Sequence, residues 1–162
     1  MARALIVGCG CRGRELGRRL AEGGWAVRGT TRDPANADAI GEAGIDARIA
    51  DPDRLITLLE HVEDVAIVCW LLGSASGSPE EVAALHGPRL ERLLEELVDT
   101  PVRGVVYEAA GSAPAGVLAG GAEVLRSANE RWRIPFALVS ADPEDPVAWT
   151  TAAEQAVAGL VG

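Results

Sequence analysis

The segment that most restricts this chain is Ala4-Leu5-Ile6-Val7-Gly8-Cys9-Gly10-Cys11-Arg12-Gly13. Its unbroken apolar run reads as a strand buried on both faces, and Leu16 and Leu20 beyond it keep helical spacing. Between strand and helix stands Gly-x-Gly-x-x-Gly, in which each glycine has its own task. Gly8 allows a tight turn off the strand, Gly10 leaves main-chain N–H groups accessible, and Gly13 lets the helix pack closely on the sheet. The first turn of a helix carries unpartnered N–H groups and the positive end of the helix dipole. The unit therefore offers a cradle to an anion such as a pyrophosphate. Strand, turn and helix are the setting in which this motif binds dinucleotides, which makes Gly8, Gly10, Cys11, Arg12 and Gly13 the first candidate binding residues.

The alternation continues along the chain. Short apolar runs predict strands near 3–7, 25–31, 45–50, 64–70, 102–107 and 134–140, and helices near 11–23, 34–43, 53–61, 79–98, 114–132 and 146–161. Ser78-Pro79-Glu80-Glu81 supplies a capping hydroxyl, a proline at the first helical position and a capping-box glutamate, and Gly87-Pro88 is expected to bend the helix that follows. Hydrophobic residues make up 48% of the chain but aromatics only 4%, so the core is built from Ala, Val, Leu and Ile, as small-residue helices on a buried sheet require. Six strand–helix units predict an α/β, doubly wound Rossmann fold. The expected sheet has six parallel strands in the order 3-2-1-4-5-6 with helices on both faces, in a single domain over residues 1–162. In that order the carboxyl ends of the first and fourth strands diverge to open a crevice, with Ser74-Ala75-Ser76-Gly77 at its mouth.

Composition then excludes several functions. The chain has no lysine, and all fifteen basic residues are arginine. A Walker A loop, a Schiff-base lysine and any mechanism with a lysine at the reacting centre are thereby ruled out. Arg12, Arg14, Arg18, Arg19, Arg28 and Arg32 cluster beside the expected phosphate site; Arg14, Arg18 and Arg19 read as the solvated face of the first helix. A net charge of −9 argues against nucleic acid and anionic membranes as partners. Three cysteines without metal-ligand spacing, no apolar stretch of membrane-spanning length, and a first strand that leaves no room for a leader give the expectation of a cytoplasmic chain without a metal. Cys9, Cys11 and Cys69 read as small packing residues in preference to a redox pair.

The end of the second strand selects the dinucleotide. A domain selective for NAD places Asp or Glu there to accept from the ribose hydroxyls; this chain has Thr30, Thr31 and Arg32. Hydroxyls and a guanidinium suit a 2′-phosphate that a carboxylate would repel, so NADP is preferred, with Arg12 a second cation. NAD is the alternative, and Asp33 is the residue on which it would rely; FAD is less favoured. Asp51, after the third strand, is a candidate acceptor for the adenine amino group or a helix cap. Trp70, ending the fourth strand, is a wall of the adenine pocket or a core residue beneath it. Glu108 ends the fifth strand, which faces the nicotinamide in this fold; it reads first as a structural residue, and it is the acid of greatest interest for mutation.

These residues together resemble the short-chain dehydrogenase/reductase superfamily, in its extended and atypical branches that include epimerase-like and NmrA-like proteins. The resemblance rests on Gly8-x-Gly10-x-x-Gly13, on Val27-Arg28-Gly29-Thr30-Thr31-Arg32-Asp33-Pro34, on Ala50-Asp51-x-Asp53 and on Val105-Val106-Tyr107. It implies an NAD(P)-binding oxidoreductase or a regulatory relative, as a homodimer through helices 79–98 and 114–132 or as a monomer. The departures bear on catalysis. The family uses a Tyr-x-x-x-Lys pair, which a chain without lysine cannot contain. Its sole tyrosine, Tyr107, falls within a strand and reads as a packing residue. Ala109 and Ala110 replace the family's serine or threonine, Ser112 is wrongly spaced to substitute for it, and the extended branch's substrate module is not expected here. Catalytic residues are therefore unassigned, and two functions stand: a small atypical oxidoreductase, or a non-catalytic NADP(H) sensor or regulatory partner.

Overall fold

A computed structural model describes residues 2–161. Six parallel strands, β1 (Arg3–Val7), β2 (Ala26–Thr31), β3 (Asp46–Ile49), β4 (Ile67–Trp70), β5 (Gly104–Glu108) and β6 (Phe136–Val139), form one sheet in the order β3-β2-β1-β4-β5-β6. This is the expected doubly wound order, in which β1 pairs with both β2 and β4 (Val7 beside Thr30 and Trp70). The helices are α1 (Cys11–Glu22), α2 (Ala37–Glu42), α3 (Leu55–Leu59), α4 (Pro79–Leu85), α5 (Pro88–Leu97), α6 (Ala115–Trp132) and α7 (Pro146–Val161), with a short 3₁₀ turn at Pro34–Asn36.

Period-two alternation along the central strands feeds two cores. Leu5, Val7, Val68, Trp70, Val105 and Tyr107 face one side, where Leu58, Leu85, Leu90, Leu93, Leu94 and Leu125 of α3 to α6 cover them. Ala4, Ile6, Ile67, Cys69, Val106 and Val139 face the other, under Leu16, Leu20, Ile40, Trp149, Ala153 and Val157 of α1, α2 and α7. Helices cover both faces, which is why these strands read as continuous apolar runs.

The expected bent helix over 79–98 is two helices. Proline 88 lacks the N–H that would continue the hydrogen-bond ladder, and Gly87 before it adopts φ −126°, ψ −104°, outside the helical region. The α4 start is as read: Ser78 and Glu81 form a reciprocal capping box. Among the described residues, no helix is long and apolar enough to cross a membrane.

Candidate functional site

A cleft of about 430 Å³ opens at the carboxyl edge of the sheet, where β1 and β4 part company with their helices on opposite faces. The β1–α1 loop forms its floor. Gly8 turns at φ +86°, and a Cβ there would lie 2.4 Å from the Leu71 carbonyl oxygen, so only glycine fits. Gly10, in contrast, would place a Cβ in open space, with nothing within 4 Å. Its bareness leaves room on the cleft side, as a ligand pressed against the main chain requires. α1 begins at Cys11 without a side-chain cap or an acid in its first turn, and its first main-chain donor to be satisfied within the helix is the N–H of Arg14, on the Gly10 carbonyl. The amides ahead of it suit a pyrophosphate.

The structure sorts the residues singled out above. Gly8, Gly10, Cys11, Arg12 and Gly13 line the cleft, as do Thr30, Thr31 and Arg32 at the end of β2. Asp51 and Trp70 do not. Asp51 turns its carboxylate back to accept from the Asp53 N–H at 2.9 Å, and Ala50 and Pro52 line the cleft in its place. Trp70 is fully buried, with its indole N–H donating to the Leu85 carbonyl at 3.1 Å; it fills the core under the site. The arginine cluster also divides. Arg28 is buried away from the cleft, donating to Asp46, Asp64 and the His61 carbonyl. Arg18 pairs with Glu15 and Glu22, and Arg19 with Glu154 on α7, so only Arg12 and Arg32 of the six reach the cleft.

At the outer end, Thr30 is buried and Thr31 ends β2. Asp33 lines the cleft, but one of its carboxylate oxygens caps the 3₁₀ turn by accepting from the Ala35 N–H at 2.9 Å. The Arg32 side chain is 48% exposed and lies 3.8 Å from Asp53. It is an exposed cation at the mouth, where solvent screens its long ion pair with Asp53.

The inner end is built differently. Glu108, the last residue of β5, is 1% exposed and accepts from the Gly73 N–H at 2.7 Å and from Arg12 at 3.3 Å. Burial raises its pKa, against the opposing pull of Arg12, the Gly73 N–H and the nearby Trp149 indole. The Arg12 guanidinium lies 5.6 Å over the ring of Trp149, from the first turn of α7. Among the described residues, two buried side-chain nitrogens complete no hydrogen bond: Arg12 Nε and Trp149 Nε1, both on this cleft. A buried unsatisfied donor costs about 1–3 kcal/mol. The loops after β4 and β5 meet here backbone to backbone, since a Cβ on Gly73 or Gly111 would lie 2.3 or 2.2 Å from a carbonyl oxygen of the other loop.

Trp149 was not singled out in the sequence. The available signal was its position in the turn after Asp145-Pro146, at the same sheet edge as the other strand ends. The other candidates for chemistry are accounted for. Tyr107 is fully buried; its hydroxyl meets His86 Nδ1 at 2.6 Å and the Leu118 carbonyl at 3.2 Å. Cys9 and Cys69 are buried, and burial pushes both thiols up to about 12, far from a reactive thiolate. Ala109 and Ala110 face a separate hollow of about 350 Å³ whose other wall is Ala115, Leu118, Ala119 and Ala122 of α6.

No family model matches the chain, and no curated protein matches it in sequence. Solved structures match it in shape. UDP-glucuronic acid 4-epimerase from Bacillus cereus, in complex with NAD, superposes with a TM-score of 0.68 at 15% identity, covering 86% of this chain and 56% of that one. Triphenylmethane reductase from Citrobacter sp., complexed with NADP(H), gives 0.63 at 16%, covering 84% and 48%. UDP-glucose 4-epimerase from Thermotoga maritima gives 0.68 at 10%, covering 84% and 54%. The chain spans about half the length of these proteins. At such identities the shared property is the fold, the Rossmann architecture of NAD(P)-binding epimerases and reductases.

Proposed function

We propose that the cleft binds a nicotinamide adenine dinucleotide, NADP(H) in preference to NAD(H), and that the chain is a small short-chain-type oxidoreductase working without a Tyr-x-x-x-Lys pair. The observation that carries the reading is the open first turn of α1 beside a bare Gly10, with Arg12 and Arg32 at either end of the same cleft. The α1 amides hold the pyrophosphate. Thr30, Thr31 and Arg32 meet the 2′-phosphate, a reading supported by β2 ending at Thr31 and by the capping task of Asp33. Bound NADPH supplies a hydride, for which a carbonyl, quinone or flavin is the acceptor class. The protein's part is to position the dinucleotide and exclude water at the inner end, where Glu108, Arg12 and Trp149 are packed.

The α6 wall favours a second reading, a non-catalytic NADP(H) sensor or regulatory partner. Its first turns present Ala115 and Ala119, which offer no proton. Under either reading a homodimer would form through α4, α5 and α6. Turnover separates the two functions. NADPH oxidation followed at its near-ultraviolet absorbance is faster with an aldehyde, quinone or flavin than without one if the chain is an enzyme. A sensor binds NADPH, shows no acceptor-dependent rate, and changes its association state on binding.

A further inference from the structure

We infer that Asp53 and Arg89 set how strongly Arg32 takes a 2′-phosphate: Asp53 competes with the phosphate for that guanidinium, and Arg89, by neutralising Asp53, leaves it free. The inference rests on the dinucleotide reading and adds to it two residues that tune its selectivity. They are joined by a line of charge across three segments, the end of β2, the turn into α3 and the start of α5. Arg32 Nη1 stands 3.8 Å from one carboxylate oxygen of Asp53, and Arg89 Nε donates to the other at 3.3 Å. The contact to Arg32 is too long for a hydrogen bond, so Asp53 is held chiefly by Arg89.

Position accounts for the pairing. Asp53 directly follows Pro52, which lines the cleft together with Arg32. Arg89 stands in the first turn of α5, which starts afresh at Pro88, and there the positive end of the helix dipole disfavours a cation. An acid in front of it offsets that cost. The second acid near Arg32 is occupied as well. Glu81 accepts from the Ser78 N–H at 3.1 Å, and its bonds with Ser78, ahead of the weaker pull of Arg32, hold its carboxyl below the usual range. Arg32 is therefore a guanidinium beside two carboxylates that each have another donor. A phosphate arriving at the end of β2 displaces only the long, solvent-screened contact to Asp53. Without Arg89, the same carboxylate would hold Arg32 and repel the phosphate. Arg89 lies outside the cleft lining and acts through Asp53, as a positioning residue.

Calorimetric titration of the full chain with NADP⁺ and NAD⁺ at low ionic strength tests it, with the ratio of the two dissociation constants as the readout. R89A is expected to weaken NADP⁺ about threefold and leave NAD⁺ unchanged, whereas R89K keeps the wild-type ratio. D53N is expected to tighten NADP⁺ about threefold, again without effect on NAD⁺. In the D53N background, R89A is expected to move the ratio by less than about 1.5-fold, because the acid it neutralises is gone. A merely structural role would shift both ligands together. An unchanged ratio in R89A, a lowered NADP⁺ affinity in D53N, or a full threefold loss from R89A on top of D53N overturns the inference and leaves the dinucleotide cleft standing. Equal wild-type affinity for NADP⁺ and NAD⁺ overturns the 2′-phosphate reading and the inference with it. Binding of neither overturns the dinucleotide reading as a whole.

Discussion

Buried polar side chains are where single residues in this protein have measurable consequences. His86 is 2% exposed, with Nε2 donating to the Leu72 carbonyl at 3.0 Å and Nδ1 meeting the Tyr107 hydroxyl. Burial holds its pKa below the ordinary 6.5. Between that lowered value and 6.5 the unfolded chain binds more protons than the folded one, so His86 contributes stability that is full above 6.5 and lost as pH falls. His61, also lowered by burial, acts with the same sign, and Glu108, raised by burial, with the opposite one. Thermal melts of wild type and H86Q between about pH 8 and pH 5 isolate the term: the wild-type advantage is expected to shrink on acidification. Gly121 is a second such point. A Cβ there would lie 2.0 Å from the Tyr107 hydroxyl oxygen, and G121A is expected to cost about 1–3 kcal/mol in denaturant unfolding, the cost of overpacking a filled core.

Helix ends and strand ends set the next level. α6 finishes at Arg133, which adopts φ 60°, ψ 34°, a conformation that glycine takes without steric cost. R133G is expected to stabilise the chain by about 0.5–1 kcal/mol in chemical denaturation, because the left-handed strain relieved exceeds glycine's extra freedom when unfolded. Elements whose signals are local are readable in the sequence: the glycine loop, the Ser78–Glu81 capping box, and the apolar runs that become the buried strands. Features decided by distant partners were not. The carboxylate of Asp51 answers to the turn that follows it, Arg28 to Asp64 and the His61 carbonyl, and Trp149 to Arg12 far away in sequence. No local pattern records these pairings. The Gly87-Pro88 break was located but its severity was not, because whether a helix bends or ends depends on the packing of its two halves.

For the molecule as a whole, the strand order followed from six strand–helix units and the right-handed rule for their crossovers, so the position of the cleft was fixed before any side chain was placed. The chemistry was less legible, since its inner end is assembled from the glycine loop, β5 and α7. An acidic chain that brings Arg12 and Arg32 to opposite ends of one cleft is arranged for an extended anion. R32A is expected to weaken NADPH about tenfold and NADH hardly at all, read by equilibrium dialysis, because an exposed guanidinium on a phosphate contributes at the low end of charge-assisted hydrogen bonds. The most direct measurement uses the protein's own reporter: Trp149 lines the cleft, so a ligand seated there changes indole fluorescence. Titration of the wild-type chain with NADPH and NADH is expected to give saturable quenching by both, at about tenfold lower concentration for NADPH. Equal midpoints would contradict the assignment of the 2′-phosphate to Thr30, Thr31 and Arg32, and no saturable change with either would contradict the dinucleotide cleft.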